Sequence, residues 1–262
     1  MKEISLVISV YKNLASLQLI LKSIEAQQGF PSIEVIVAED NNGEKMRSKI
    51  MEWQAQFSFP IIHVFQEDIG FRKCRILNEA VRKSNGAYLV FIDGDCLLHP
   101  KFLAEHNGLK NMGAVTYGRR VMLSPLLSQR IEQEQNLNLI HWPNLIRYGC
   151  KRLDAGLYLP FSKPETRPGF WGHNWGIYKL DFESVGGFDE SYIKAGIGED
   201  TDIDWRLQQH GMHFQRCKNR LIQYHLYHPE NYLDTREVEQ ILADKKALFT
   251  SSGDPQLLMG DL

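Results

Sequence analysis

The sequence predicts an α/β protein built on a doubly wound, mostly parallel sheet with helices on both faces, elaborated in its second half. Three observations predict it. Up to about residue 100, short runs dense in Val and Ile alternate with stretches whose apolar residues recur every three to four positions. Strand, helix, strand repeated in this way favours a parallel sheet with right-handed crossovers. At 262 residues, 43% hydrophobic and 24% charged, the chain can bury the core that such a sheet requires.

The strands, in order, are "ISLVISV" (4–10), "IEVIVA" (33–38), "IIHVF" (61–65) and "YLVFI" (88–92), because a strand covered on both faces reads as a continuous apolar run. Residues 14–27, 44–57 and 73–84 are the helices between them, with Leu14, Leu17, Ile20, Leu21 and Ile24 the clearest apolar stripe. Beyond residue 100 the alternation stops. "GAVTYGRRVML" (113–123) is expected to add one strand, and "SPLLSQRIEQEQNLNLIHW" (124–142) one amphipathic helix, packed on the body rather than laid on a membrane. Residues 143–170, rich in Pro, Gly and aromatics, read as a long shaped loop, and the tail after 234 as an amphipathic helix. No repeat or low-complexity linker interrupts residues 1–262, which are read as a single domain with a first half over 1–100, a second over 101–230 and a helical tail over 231–262.

The bulk properties exclude several classes. A net charge of −2 leaves no electrostatic footprint for nucleic acid, and the basic clusters Arg72, Lys73, Arg75 and Arg119, Arg120 are short enough to be solvated faces. Cys74, Cys96, Cys150 and Cys217 are scattered without a C-x-x-C pair, as expected of reduced thiols in the cytoplasm. The first apolar run is too short for a signal peptide, and nothing approaches the ~20 apolar residues of a membrane span. The expectation is a soluble cytoplasmic protein, with peripheral attachment to the inner face of a membrane left open and the oligomeric state unread.

In doubly wound sheets, ligands bind beyond the carboxyl ends of the strands. Four loops fall there: "YKN" (11–13), "EDNNG" (39–43), "QEDIGFRK" (66–73) and "DGDC" (93–96). Asp93 and Asp95 close a buried run, and two neighbouring carboxylates call for a cation between them. Hard divalent ions such as Mg²⁺ and Mn²⁺ take carboxylate oxygens and share them with substrate phosphates. Phosphatases of the haloacid-dehalogenase type also use a strand-terminal D-x-D, but on their first strand and followed by Gly and Thr or Val, whereas here Cys96 and Leu97 follow. Near residue 200, "GEDTDIDWRL" opens a helix; Asp202 and Asp204 suit its first turn, and Asp202 stands four residues before Arg206. Glu199 and Asp200 follow the glycine-containing "AGIG" (195–198), where a backbone can approach a ligand. "GFWGHNWG" (169–176) offers core aromatics in Phe170 and Trp175, and Trp171, His173 and Asn174 to line a sugar pocket.

Together "LVISVYKN", "VIVAEDNNG", "GFRKCRILNEAVRKSNGAYLVFIDGD" and "GGFDESYIKAGIGEDTDIDWRL" resemble, in the right order, an inverting family-2 glycosyltransferase of the GT-A fold whose C-terminal segment is similar to the galactosyltransferase type. The resemblance covers most of residues 3–228. It implies that residues 1–100 bind a nucleotide-diphosphate sugar, with a UDP-sugar expected, and that 101–230 form the acceptor side. Tyr11, Glu39 and Asp40 would lie near the base and ribose, Arg72 near the diphosphate, and Asp93 and Asp95 at ribose and metal. An acid of the Glu199–Asp200 pair would be the general base; Asp200 is expected to fill that role while Glu199 holds the acceptor. Relatives place a metal-binding His near "QYHLYHP", so His225, and after it His228, would complete the site, favouring Mn²⁺ over Mg²⁺ because nitrogen ligands suit the later metal. The acceptor would be a glycan or lipid-linked glycan, in bacterial surface polysaccharide or lipopolysaccharide synthesis. A D-x-D phosphatase and a non-catalytic sugar-binding module are the alternatives; the missing Thr or Val after Asp95 argues against the first, and the second has no need of Glu199 and Asp200.

Overall fold

The computed structural model describes residues 2–29, 31–194, 198–229 and 236–262, with 236–239 described in backbone alone. The first hundred residues run β1 (Ile4–Val10), α1 (Leu14–Glu25), β2 (Ile33–Glu39), α2 (Glu44–Gln54), β3 (Ile61–Phe65), α3 (Lys73–Lys83), β4 (Tyr88–Asp93) and β5 (Cys96–Leu98). Then follow α4 (Phe102–Leu109), β6 (Ala114–Tyr117), β7 (Arg119–Met122), α5 (Pro125–Glu134), α6 (Trp142–Arg147) and β8 (Glu165–Thr166). The chain continues through β9 (Asn174–Tyr178), α7 (Lys179–Ser184), α8 (Glu199–Gln209), β10 (His213–Arg216), β11 (Ile222–His225) and α9 (Arg236–Ser252).

Among the described residues an eight-stranded sheet has the order β3-β2-β1-β4-β9-β6-β10-β8, and a three-stranded sheet the order β5-β11-β7. β3, β2, β1 and β4 are mutually parallel; β9 runs antiparallel to both β4 and β6. The two-residue alternation of a strand sends Ile4, Leu6, Ile8 and Val10 into one core, while Val7 enters the other. Helices α1 and α2 cover the first face through Leu17, Ile20, Met46, Ile50 and Trp53, and α3 covers the second through Cys74, Ile76, Ala80 and Val81. Each Leu, Ile, Val or Met among them contributes about 1.5–3 kcal/mol when fully buried. Trp175 on β9 stacks between Phe91 and Phe170, both at 4.5 Å, which makes Phe170 and Trp175 core residues.

Three expectations for the second half are corrected. The run 113–123 is two strands in two sheets, parted at Gly118, where a Cβ would lie 2.0 Å from the Leu221 carbonyl oxygen. The run 124–142 is not one helix: α5 starts on Pro125, capped by Ser124, and stops at Gln135, whose φ of 48° is left-handed. Leu127 and Ile131 pack α5 into the core. Residues 143–170 are not wholly loop, since α6 enters them and β8 pairs with β10. All four cysteines are free and buried. Among the described residues no helix is long and apolar enough to cross a membrane.

Candidate active site

A cavity of about 1210 Å³ opens beyond the carboxyl ends of β1, β2 and β4, lined by Tyr11, Asp40, Phe71, Lys73, Asp93 and Asp95, and on its far side by Arg120, Arg152, His225 and His228. The small sheet explains why residues so distant in sequence meet. After Asp93 the chain turns at Gly94, where a Cβ would meet the Ser9 carbonyl oxygen at 2.7 Å, and enters β5. β5 pairs antiparallel with β11, opposing Cys96 and His225, and the Leu226 N–H donates to the Asp95 carbonyl at 2.9 Å. β7 pairs with the other edge of β11, setting Arg120 beside Gln223.

This register brings Asp95, His225 and His228 together. Their ligand atoms lie within 4.8 Å of one another, with Asp95 Oδ2 3.3 Å from His225 Nε2 and 3.1 Å from His228 Nε2. Burial opposes the Asp95 charge, but hydrogen bonds from the two imidazoles hold its carboxyl well below the usual range. Carboxylate oxygen and two imidazole nitrogens form a donor set that fits Mn²⁺ better than Mg²⁺. Asp93 stands apart from that set. Its Oδ1 accepts from Lys73 Nζ at 3.0 Å and from Ser9 Oγ at 3.1 Å.

Lys73, the first residue of α3, links the two halves of the site. Its ammonium also lies 3.6 Å from Glu199 Oε1, and although burial opposes its charge, Asp93 and Glu199 hold its pKa above the usual range. Glu199 moves the other way. Burial, with Asp200 adjacent, pushes its carboxyl up to about 7 despite Lys73, and its Oε2 is buried without a partner among the described residues. Asp200 Oδ2 accepts the Gly172 N–H at 3.1 Å. Both acids stand on the first turn of α8, beside a cavity of about 10 Å³ shared with Lys73 and Gly172. Most of the preceding loop, residues 195–197, lies outside the described residues.

Other expected site residues are placed differently. Arg72 does not line the cavity: its guanidinium donates to the Glu67 carbonyl, and its backbone N–H to Asp40 Oδ2 at 2.7 Å. Lys73 supplies the cation there instead. Glu39 is fully buried, its carboxylate spent on His63 at 2.8 Å and Asn41 at 3.1 Å, so Asp40 alone of that acidic pair faces the cavity. Asn174 is a buried β9 residue whose amide donates to the Leu221 carbonyl at 3.0 Å. His173 is buried behind the site; desolvation and Arg120 push its imidazole down to about 3, and its Nδ1 is 3.0 Å from Gln223 Oε1. Trp171 is partly exposed. Asp202 and Asp204 are structural: Asp202 bonds Arg206 at 2.7 Å with both side chains buried, and Asp204 accepts from the Gly169 N–H at 3.0 Å. Lys73 and Arg120 were legible in sequence as short basic clusters, but nothing in sequence separates these two from their solvated neighbours.

A family model described as the N-terminal domain of galactosyltransferase matches residues 159–229. Validoxylamine A glucosyltransferase of Streptomyces hygroscopicus subsp. limoneus is 27% identical over 228 residues, which are 80% of this chain and 48% of that protein. Chondroitin synthase of Escherichia coli is 24% identical over 246 residues, 87% of this chain and 34% of that protein. The chain thus spans half or less of these curated relatives. Among solved structures, the mannosyltransferase PcManGT from Pyrobaculum calidifontis, in complex with GDP-Man and Mn²⁺, superposes with a TM-score of 0.60 at 16% identity, over 95% of this chain and 64% of that one. GalNAc-T7 with UDP, GalNAc and Mn²⁺ gives 0.62 at 15% identity, over 88% and 45%. These likenesses show the fold, which is GT-A. The glycosyl transferase family 2 model matches residues 5–179, most of the chain, and the chain belongs to that family.

Proposed function

We propose that this chain is a divalent-metal-dependent, inverting glycosyltransferase that moves a sugar from a nucleotide-diphosphate sugar, of which a UDP-sugar is our choice, to a hydroxyl of a glycan or lipid-linked glycan. The observation that carries the proposal is the convergence of Asp95, His225 and His228 in the same cavity as Lys73 and Arg120. Residues 1–262 act in this reading as one catalytic unit, with 1–100 on the donor side, 101–230 on the acceptor side and the tail 231–262 beside them. Synthesis of a bacterial surface polysaccharide or lipopolysaccharide is the setting we favour, supported by the similarity to chondroitin synthase.

Asp95, His225 and His228 would hold Mn²⁺, which when bound neutralises charge on the leaving diphosphate, an effect worth several kcal/mol. Tyr11, Asp40 and Phe71 line the end of the cavity suited to the nucleoside. Lys73 and Arg120 set positive charge beside the carboxylates, where a diphosphate develops its own negative charge. His173, buried with its Nδ1 3.0 Å from Gln223 Oε1, fills the space behind the site without adding charge. Asp200, with Oδ2 oriented by the Gly172 N–H, would take the proton from the acceptor hydroxyl as its oxygen attacks the anomeric carbon. The Oε2 of Glu199, without a partner among the described residues, would accept a second acceptor hydroxyl. A phosphatase is disfavoured because Cys96 and Leu97 stand where such enzymes carry Gly and Thr or Val after the pair.

A transfer assay over a panel of nucleotide sugars with Mn²⁺, the product anomer read by NMR, tests this. Asp200→Asn should lower turnover by roughly a hundredfold or more while binding UDP and Mn²⁺ as the wild type does. Retention of the donor's anomeric configuration, or turnover surviving in Asp200→Asn, would contradict the roles given.

A further inference from the structure

Next to the catalytic cavity lies a concentration of cations that the donor does not require. Trp171 carries two guanidinium groups against its ring, Arg119 at 4.7 Å and Arg152 at 5.1 Å from the centroid. Arg216, Arg167 and Arg152 all lie close enough to Arg119 to disfavour its charge, adding to the effect of its partial burial. Arg216 is paired with Glu165 at 3.0 Å. Among the described residues no carboxylate forms an ion pair with Arg119, Arg152 or Arg167, and Arg119 Nη1 is buried without a partner. Gathering like charges without counter-ions costs stability, and an anion seated among them would relieve it.

Arg119 faces away from the metal seat. Arg119 and Arg120 are neighbours on β7, and alternate residues of a strand point to opposite sides. Arg120 is turned to Asp93, Asp95 and Cys96, whereas Arg119 meets Trp171 and the Gly169 carbonyl at 3.1 Å. Yet the cluster is tied to the chemistry: Gly172, next to Trp171, donates to Asp200, and Arg152 lines the cavity. A part-exposed indole suits the C–H face of a sugar ring. Guanidinium forks match the oxygens of phosphate and carboxylate in bidentate fashion.

We propose that Trp171, Arg119 and Arg152 form an acceptor subsite for a sugar bearing an anionic group, a phosphate ester or a uronate carboxylate. The proposal rests on the cavity being a transferase site and specifies the class of its acceptor.

Saturation-transfer NMR on the full chain with Mn²⁺ and UDP bound, using glucose 6-phosphate, glucuronate and glucose as probes, tests it. At least one anionic sugar should bind more tightly than glucose, and the stronger of the two identifies the group. Arg119→Gln should weaken that sugar by about tenfold, Arg119→Lys by less, with UDP–Mn²⁺ affinity unchanged as the control for folding. Added salt should weaken the anionic probes and leave glucose unaffected. Equal binding of all three sugars, no binding of either anionic one, or variants that weaken UDP–Mn²⁺ instead would overturn the subsite. Absence of Mn²⁺-dependent UDP binding in the wild type would instead count against the transferase reading itself.

Discussion

Glu199 and Asp200 are adjacent acids on one helical turn with different surroundings, and the difference is electrostatic. Asp200 has a backbone N–H donor in Gly172, whereas Glu199 has one buried oxygen with no donor among the described residues and a carboxyl raised from 4.5 to about 7 by burial. A raised carboxyl binds more protons in the folded than in the unfolded protein between those values, so folding stability falls as pH rises through that window. Glu199→Gln removes the ionisation. The variant's Tm should rise relative to wild type as pH goes from 4.5 to above 7, and the difference should level off beyond. A Tm difference that is flat across that range would show that Glu199 ionises normally. At this scale the sequence marked Asp95, His225, His228 and the Glu199–Asp200 pair through residue type and order. It did not distinguish Asp40 from Glu39 or Lys73 from Arg72. In each pair the neighbours differ in which way one side chain turns, and that depends on partners distant in sequence, such as His63 for Glu39 and Asp93 for Lys73.

Among the elements, β1 to β4 and α1 to α3 were readable because each carries its own period: two-residue alternation between two cores for the strands, and three-to-four spacing for the helices. The second half was less readable because its strands are four residues or so and change sheets. Gly118 is where that change happens, and local periodicity says nothing about it. There the backbone passes so close to Leu221 that any side chain must displace main chain, not a flexible neighbour. Gly118→Ala is therefore expected to cost about 1–3 kcal/mol, in the range of overpacked cores, seen as a lower midpoint in urea denaturation. Because β7 and β11 carry Arg120 and His225, metal-dependent nucleotide binding should weaken too. An unchanged midpoint would mean that the crossing is looser than described.

At the scale of the whole molecule, the parallel half supplies the cavity floor and the small sheet the Asp95, His225 and His228 cluster proposed to hold the metal, while α8 brings the acids in from the far side. α8 is fixed by a buried charge network: Asp202 bonds Arg206 at 2.7 Å and Lys245 of α9 at 2.9 Å, and Lys245 also bonds Asp189 at 2.8 Å. Helix α9 is thus anchored to α8 through Lys245. Asp202→Ala leaves Arg206 and Lys245 with less compensation and should cost about 3–5 kcal/mol, as when one partner of a buried pair is removed. A loss under 1 kcal/mol would show the network to be solvated. The i,i+4 spacing of Asp202 and Arg206 was visible in sequence, but their burial and the link to Lys245 were not, since both depend on how α9 docks.

The most direct measurement is a calorimetric titration of the full chain with UDP, with and without Mn²⁺, in wild type and His225→Ala. Binding that requires Mn²⁺ in the wild type and is weakened about tenfold or more in the variant is the expected result. UDP binding equally well without metal, or untouched by loss of the His225 imidazole, would contradict the cation seat at the exit of β4.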